Sequence, residues 1–325
     1  MKNQQYIDLI LSKREHSQPL YLLVDPLKPI YDVFPVSMYQ LNNLIPQENI
    51  AVILRPDLSY TPEECPHLFK IASPGHQLDE QAMHLLDESI SLSLQEQPGY
   101  KRYICGWLQS NLGIEDLANN ITQRLYLQHR GIPKTYPLHE PIRQEIMAYS
   151  LFHKHPEFYS LLHTQWLGGI SNWFFPTTET GFMHLKGSGQ FMPVELPDDV
   201  LDDIADTVLA MHALAVWQLQ AEKKLSYIQK QQMPLMPSSK EFLPKGAVYK
   251  ALTTMQRARH KGLTDHNDQT VLAMILLNSH RDFDVHPLVQ KSIRAAITKP
   301  GTLADQLDRD IPHMHWLHVL QELNA

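Results

Sequence analysis

The stretch Leu20-Tyr21-Leu22-Leu23-Val24-Asp25 decides the fold of the first half of the chain. Its apolar run stops at Asp25-Pro26, which is typical of a buried strand that leads into a loop. Further strands are predicted at 49–54 and around 66–71, and apolar spacing predicts a short amphipathic helix over 3–15. The first half therefore begins with a helix and a group of short, buried strands.

Helices and strands continue to alternate beyond these strands. Apolar residues at helical spacing predict a helix over 78–94, a strand follows at 100–108, and a second helix is predicted over 114–125 with Ser110 or Asn111 as its cap. Glycines and aromatic residues between 166 and 193 favour a strand or hairpin region. The alternation predicts an α/β or α+β fold, with an N-terminal lobe built on a mixed or parallel sheet.

From Pro197 the pattern turns helical and remains so. Pro197-Asp198-Asp199 places acidic residues at the positive end of a helix, and the Pro-rich segment 231–246 predicts a linker or exposed loop. Further helices are expected around 248–255, 271–277, 289–297 and 314–323. We therefore predict an α/β domain over 1–195 and an all-helical domain over 196–325.

The composition limits the partners and the compartment. A formal charge of −7 over 325 residues disfavours nucleic acid as a partner, because phosphate binding needs a basic surface. The apolar stretch near the N-terminus, 7–11, is too short for a secretory signal, and no run is long enough to cross a membrane. Cys65 and Cys105 are far apart and fit buried thiols better than a disulfide. These features predict a cytoplasmic protein.

Common catalytic motifs fail at specific residues. Gly187-Ser188-Gly189 is not a nucleophile elbow, and the chain contains no Walker or dinucleotide-binding glycine pattern. His139-Glu140 could begin a zinc-protease H-E-x-x-H motif, but position 143 is Arg and Pro141 interrupts the expected helix. His280-Arg281-Asp282 lacks the other parts of a kinase site. We therefore expect no catalytic residue, no cofactor and no enzyme activity.

The 18 histidines raise a metal hypothesis. Two segments could supply ligands, and an acidic helix start could hold a cation: His313, His315 and His318; His280, Asp282, Asp284 and His286; and Asp198, Asp199, Asp202, Asp203 and Asp206. The alternatives are an amphipathic terminal helix, a solvated loop that caps a helix at Pro287, and acidic residues that favour a helix N-terminus. We expect no metal, and metal analysis of the purified protein distinguishes these alternatives.

Two apolar segments are candidate partner-binding surfaces. Trp173-Phe174-Phe175 form an aromatic run on a predicted strand, which must direct side chains to both faces. Met233, Leu235 and Met236 lie in the Pro-rich segment, where adaptable apolar side chains could dock a partner. Packing in the core is the alternative for both segments.

The order of elements over about 18–185 resembles a known family. The resemblance is carried by the strand at 20–25, the segment Cys65–Ile71, the strand at Gly106-Trp107-Leu108 with the helix that follows it, and the segment Leu138–Arg143. This order is similar to that of the type VI secretion adaptor proteins, also called effector chaperones of the Tap or TEC type. Where that family carries an R-F-Y-D-P segment, this chain has Pro137-Leu138-His139-Glu140-Pro141, so the proline is kept, Glu140 replaces the aspartate and the arginine is missing.

The resemblance implies a non-catalytic adaptor in the cytoplasm of a Gram-negative bacterium. Such a protein binds a toxic effector and helps to load it onto the VgrG spike before secretion. The resemblance implies no cofactor, and Asp25, which matches the family pattern, is expected to be structural. The alternative is an α/β hydrolase or transferase whose site is formed by residues far apart in the sequence.

Overall fold

The computed structural model describes residues 2–75, 77–97, 99–157, 162, 166–178, 181–188, 195–230, 243–279, 281–311, 316 and 319. The chain forms two compact units, which we call unit 1 (residues 1–205) and unit 2 (residues 206–325). The sequence-based boundary at 195 lies before a helix at Asp198–Ala205 that belongs to unit 1.

Unit 1 is built on a six-stranded sheet with the order β2-β3-β1-β4-β7-β8. The strands are β1 Leu20–Val24, β2 Ile50–Val52, β3 His67–Ala72, β4 Ile104–Gln109, β7 Asn172–Pro176 and β8 Phe182–Lys186, and a separate hairpin comprises β5 Tyr126–His129 and β6 Ile132–Thr135. Every neighbouring pair of strands is antiparallel. The α+β class is therefore correct, and the expected mixed or parallel sheet is wrong. The reason is that β1 lies between β3 and β4, which run in the same direction but do not pair.

Six helices of unit 1 are described: α1 Lys2–Lys13, α2 Met38–Leu44, α3 Glu80–Gln95, α4 Ile114–Arg124, α5 Pro141–Lys154 and α6 Asp198–Ala205. The predicted helices at α1, α3 and α4 are confirmed, but the predicted cap of α4 is wrong. Gly113 is the N-cap residue, while the Ser110 hydroxyl accepts a hydrogen bond from the Leu112 amide and donates to the Gly169 carbonyl. Sequence reasoning missed α2, the β5–β6 hairpin and α5.

Both faces of the sheet are covered, which explains the unbroken apolar run of β1. Leu20, Leu22 and Val24 belong to one core cluster with apolar residues of α1 and α3, and all five residues of β1 are buried. The α4 helix contacts β2 and β3. A central strand buried on both faces needs no polar alternation.

Unit 2 is helical over its described residues. Its helices are α7 Thr207–Lys230, α8 Ala247–His260, α9 His266–Asn278, α10 Pro287–Thr298 and α11 Leu303–Asp310. Leu263, Leu272, Phe283, Val289 and Leu307 are central members of its core. The single helix expected after Pro197 is interrupted at Asp206, between α6 and α7. Among the described residues, no helix combines the length and the apolar character that crossing a membrane requires.

Candidate functional site

The aromatic run proposed as a partner-binding surface lies in the core. Trp173, Phe174 and Phe175 have no exposed area, so the partner-binding assignment of these three residues is wrong and the alternative of core packing is correct. They lie on β7, which pairs with β4 on one side and with β8 on the other. Because β7 is an inner strand with both faces covered, its side chains cannot reach a partner.

The second predicted surface and several metal candidates cannot be placed. Met233, Leu235 and Met236 lie outside the described residues, as do His280, His313, His315 and His318. The partner-binding role of the three apolar residues stays a prediction.

A cluster of buried and partly buried charged side chains lies at the end of β1, and we call it the Asp25 cluster: Asp25, Lys101, His139, Glu140 and Arg143. Asp25 and His139 are fully buried, and His139 Nε2 lies 2.9 Å from Asp25 Oδ2. Lys101 Nζ lies 3.0 Å from the same oxygen. Asp25 Oδ1 accepts a hydrogen bond of 3.0 Å from the Leu27 amide. The carboxylate is therefore satisfied on both oxygens.

The other residues of the cluster, Glu140 and Arg143, lie at the N-terminus of α5 and form ion pairs there. Glu140 is the N-cap residue of this helix, and its carboxylate lies 3.3 Å from Lys101 Nζ and 2.8 Å from Arg143 Nε. Arg143 also donates a hydrogen bond of 2.8 Å to the Ile204 carbonyl, near the end of α6. Pro141 is the first residue of α5, where its fixed φ angle favours a helix. The helix therefore starts at Pro141 and leaves His139 outside it, so the expectation that positions 139 and 143 do not share one helical turn is confirmed.

The surrounding charges set the protonation of the two carboxylates. Burial alone would raise the pKa of Asp25, but the hydrogen bond from His139 and the charges of His139 and Lys101 lower it to about 2. Burial opposes ionisation of Glu140 in the same way, and Arg143, His139 and Lys101 outweigh it, so the pKa of Glu140 is also lowered. Both groups are carboxylates at neutral pH.

Cys105 completes a group of three potential ligands or reactive groups. One ligand atom from each of Asp25, Cys105 and His139 lies within 4.8 Å of the others, and all three residues are buried. Burial, together with the negative charges of Asp25 and Glu140, raises the pKa of the Cys105 thiol well above its usual value. A cysteine nucleophile must be a thiolate and must be reachable. Cys105 has no exposed area, so this Cys-His-Asp group lacks the properties of a catalytic triad.

The described surface of unit 1 carries an apolar groove. Val33, Pro35, Gln40, Asn43, Leu44, His84 and Leu85 line it, and its volume is 390 Å³. Large apolar side chains are exposed along the segment 31–60, which we call the apolar segment, and they include Tyr31, Val33, Tyr39, Leu44, Leu54 and Tyr60. His84 is the titratable residue of the groove lining, and no carboxylate, thiol or lysine lines it.

The remaining metal candidates among the described residues bind protein groups instead. On α6, Asp202 contacts His129 and Arg130, Asp199 contacts His155, and Asp203 contacts Lys154. These contacts give the acidic helix start protein partners within unit 1.

The acidic residues of the loop before α10 in unit 2 also contact protein groups. Asp284 is fully buried and lies 2.5 Å from Arg257 Nη2 and 3.2 Å from Lys261 Nζ. His286 caps α10 by accepting a hydrogen bond from the Leu288 amide. The prediction of a cap for the helix at Pro287 is therefore confirmed by His286, whereas the predicted solvation of the loop is wrong at Asp284, which is buried.

No family model, no curated protein and no solved structure matches the chain.

The sequence drew attention to Asp25 and to the segment 138–143, but it did not predict that they lie in contact. The position of Asp25 at a strand end was a usable signal, whereas Cys105 lies within an ordinary apolar strand and carries none.

Proposed function

We propose that the chain is a non-catalytic adaptor that binds a type VI secretion effector and helps to load it onto the VgrG spike. In this proposal it acts in the cytoplasm of a Gram-negative bacterium and belongs to the effector-chaperone family that its N-terminal half resembles. In this role the chain binds one protein and presents it to another, which requires binding surfaces but no catalytic residues.

The observation that carries this proposal is the exposure of large apolar side chains along the apolar segment. Tyr31 and Val33 are each 79% exposed, and Leu44 on α2 is 45% exposed. Val33 and Leu44 also line the groove. Exposed apolar surface beside a groove is typical of a site that binds another protein. We therefore assign effector binding to the groove and the apolar segment.

The charge of the apolar segment indicates which kind of effector surface would bind to it. The apolar segment and its flank carry the acidic residues Asp32, Glu48, Asp57, Glu63 and Glu64, whereas Arg55 is the basic residue between 29 and 64. Arg55 and Asp57 form an ion pair at 2.6 Å and cancel each other, which leaves Asp32, Glu48, Glu63 and Glu64 as the acidic residues of this segment and its flank. An apolar effector segment flanked by lysine or arginine complements this surface best.

The arrangement of the Asp25 cluster supports the family resemblance. Asp25 follows the strand that resembles the family's first strand, and His139 and Glu140 belong to the segment that stands in the place of R-F-Y-D-P. The two segments meet through the contact between Asp25 and His139. Lys101 is the cation that bridges Asp25 and Glu140 in this chain, which lacks the arginine of the family segment.

The rival function is an enzyme whose site is assembled from distant residues. Asp25 and His139, together with the neighbouring Cys105, are such an assembly, but all three are fully buried, and no substrate can reach them in this conformation. The groove, which a ligand could reach, lacks a nucleophile or paired carboxylates. These properties favour binding over catalysis.

Secretion of the effector tests the proposal in the cell. Deleting the gene for this chain is expected to abolish export of the toxin encoded beside it, while export of the other spike components continues. Expression of the chain from a plasmid should restore export. Unchanged export of that toxin in the deletion strain would contradict the proposal.

A further inference from the structure

We propose that Asp25, Cys105 and His139 form a binding site for a thiophilic divalent cation, with Zn²⁺ as the best match. The inference goes beyond the adaptor function and does not depend on it. It rests on three potential ligands that come from three separate places: the end of β1, the interior of β4 and the residue that precedes the N-cap of α5.

The ligand types and their spacing suit zinc. Thiolate, imidazole and carboxylate are the three protein ligands that Zn²⁺ accepts, and its bond lengths put neighbouring ligand atoms about 3.3–3.8 Å apart. The ligand atoms of Asp25, Cys105 and His139 already lie within 4.8 Å of one another. Small side-chain rotations therefore suffice to close them around one ion.

The imidazole of His139 has one nitrogen that faces the other two ligands. Its Nε2 contacts Asp25, but its Nδ1 is buried and has no hydrogen-bond partner among the described residues. Because Nε2 is the nitrogen that lies against Asp25, it is the ring nitrogen that would bind the ion, and Nδ1 would carry the ring proton.

The charges balance when an ion binds. The Cys105 thiol loses its proton to solvent, and the resulting thiolate and the Asp25 carboxylate together neutralise a divalent cation. Lys101 must then leave Asp25 Oδ2, which it can do because its side chain is 27% exposed. Its ammonium group keeps Glu140 as a partner. Each ion bound thus releases one proton from the thiol and displaces one ammonium group.

Cobalt titration of the full-length chain tests the proposal. After treatment with a chelator, one equivalent of Co²⁺ is expected to produce a thiolate-to-cobalt charge-transfer absorption, and one equivalent of Zn²⁺ should abolish it. Cys105→Ser should lose the absorption. Cys65→Ser is the matched control, because Cys65 is also a buried free thiol, and it should keep the absorption. Lys101→Met should bind about tenfold more tightly, on the scale by which groups next to metal ligands change affinity.

Cobalt titration of the wild-type chain tests the site even if a variant fails to fold. Cobalt bound by surface histidines gives no thiolate absorption, so its absence from the wild-type chain overturns the site. Equal loss of the absorption in Cys65→Ser and Cys105→Ser also overturns it. Neither result bears on effector binding, which is measured separately.

Discussion

His139 Nε2 and Asp25 Oδ2 lie 2.9 Å apart in the core of unit 1, although 114 positions separate the two residues in the sequence. The contact joins the end of the central strand β1 to the start of α5. Lys101, which precedes β4, binds the same carboxylate oxygen. One buried carboxylate thus holds three parts of unit 1 together.

Removing the charge of Asp25 should destabilise unit 1. Asp25→Asn keeps the shape of the side chain but leaves Lys101 and His139 without their anion, and breaking a buried ion pair costs about 3 kcal/mol. We expect that loss in the free energy of unfolding measured in urea at neutral pH. The control is Asp32→Asn, an exposed residue of the same unit, for which a change within about 0.5 kcal/mol is expected. Equal effects would show that the buried contact contributes little.

The same carboxylate predicts a loss of stability in acid. Its pKa falls from 3.8 to about 2 on folding, so its contribution is complete above pH 3.8 and is lost as the pH falls toward 2. The shift corresponds to about 2 kcal/mol. Unfolding measured across that interval should show a shallower pH dependence in Asp25→Asn than in the wild-type chain. Parallel curves for the two proteins would contradict the lowered pKa.

Two aspartates of α6 should differ in their contribution to stability. Asp203 is buried and bonds to the Ser150 hydroxyl and to Lys154, at 2.6 Å each, whereas Asp199 is half exposed and contacts His155. Asp203→Asn should therefore cost about 2–3 kcal/mol, because it disrupts a buried ion pair. Asp199→Asn should cost less than about 1 kcal/mol. Urea unfolding of both variants measures the difference, and a larger loss for Asp199 would refute this ranking.

Gly106 should not tolerate a side chain. It has a φ of +148°, and a Cβ atom at this position would lie 2.4 Å from the Phe174 carbonyl oxygen and 2.8 Å from Trp173 Nε1. Gly106→Ala must push β4 and β7 apart, at a cost of about 3 kcal/mol. At Gly131 the φ is +74° but nothing lies within 4 Å. Gly131→Ala should therefore cost only the backbone strain, about 1 kcal/mol. Thermal unfolding measures the loss of stability in the two variants. Equal losses would show that the Cβ atom at position 106 does not overlap β7.

Replacing apolar residues of the groove with glutamate should weaken effector binding without unfolding the chain. Val33→Glu combined with Leu44→Glu removes two exposed apolar contacts and should raise the effector Kd at least about tenfold. Ile132→Glu is the control, because Ile132 is 60% exposed but lies on the β5–β6 hairpin and does not line the groove. Titration calorimetry with the purified effector measures both. A double variant that binds the effector as tightly as the control would show that the groove is not the effector-binding site.

Local patterns in the sequence predicted the elements whose determinants are local. The apolar run at Leu20–Val24 marked β1, and the helices at α1, α3 and α4 followed from apolar spacing. The antiparallel order of the sheet was not predictable in this way, because it depends on β1 pairing between β3 and β4. The cap of α4 failed for a related reason, since Ser110 bonds to Gly169, a residue distant in the sequence.

The candidate sites depended even more on tertiary structure. Trp173, Phe174 and Phe175 were candidates for a surface because an aromatic run does not reveal whether its strand lies inside a sheet. The group of Asp25, Cys105 and His139 had no linear spacing to detect, since the fold alone brings the three residues together. The helix α5 itself was not predicted, because Pro141 favours a helix at its first position and breaks one elsewhere.

The most direct test of the adaptor function is gel filtration with light scattering of the purified chain mixed with the toxin encoded beside it. We expect a complex whose mass equals the sum of the masses of the two proteins. This complex should survive the column and should be lost when Val33 and Leu44 are both replaced by glutamate. Separate elution of the wild-type chain and the toxin at micromolar concentrations would contradict it.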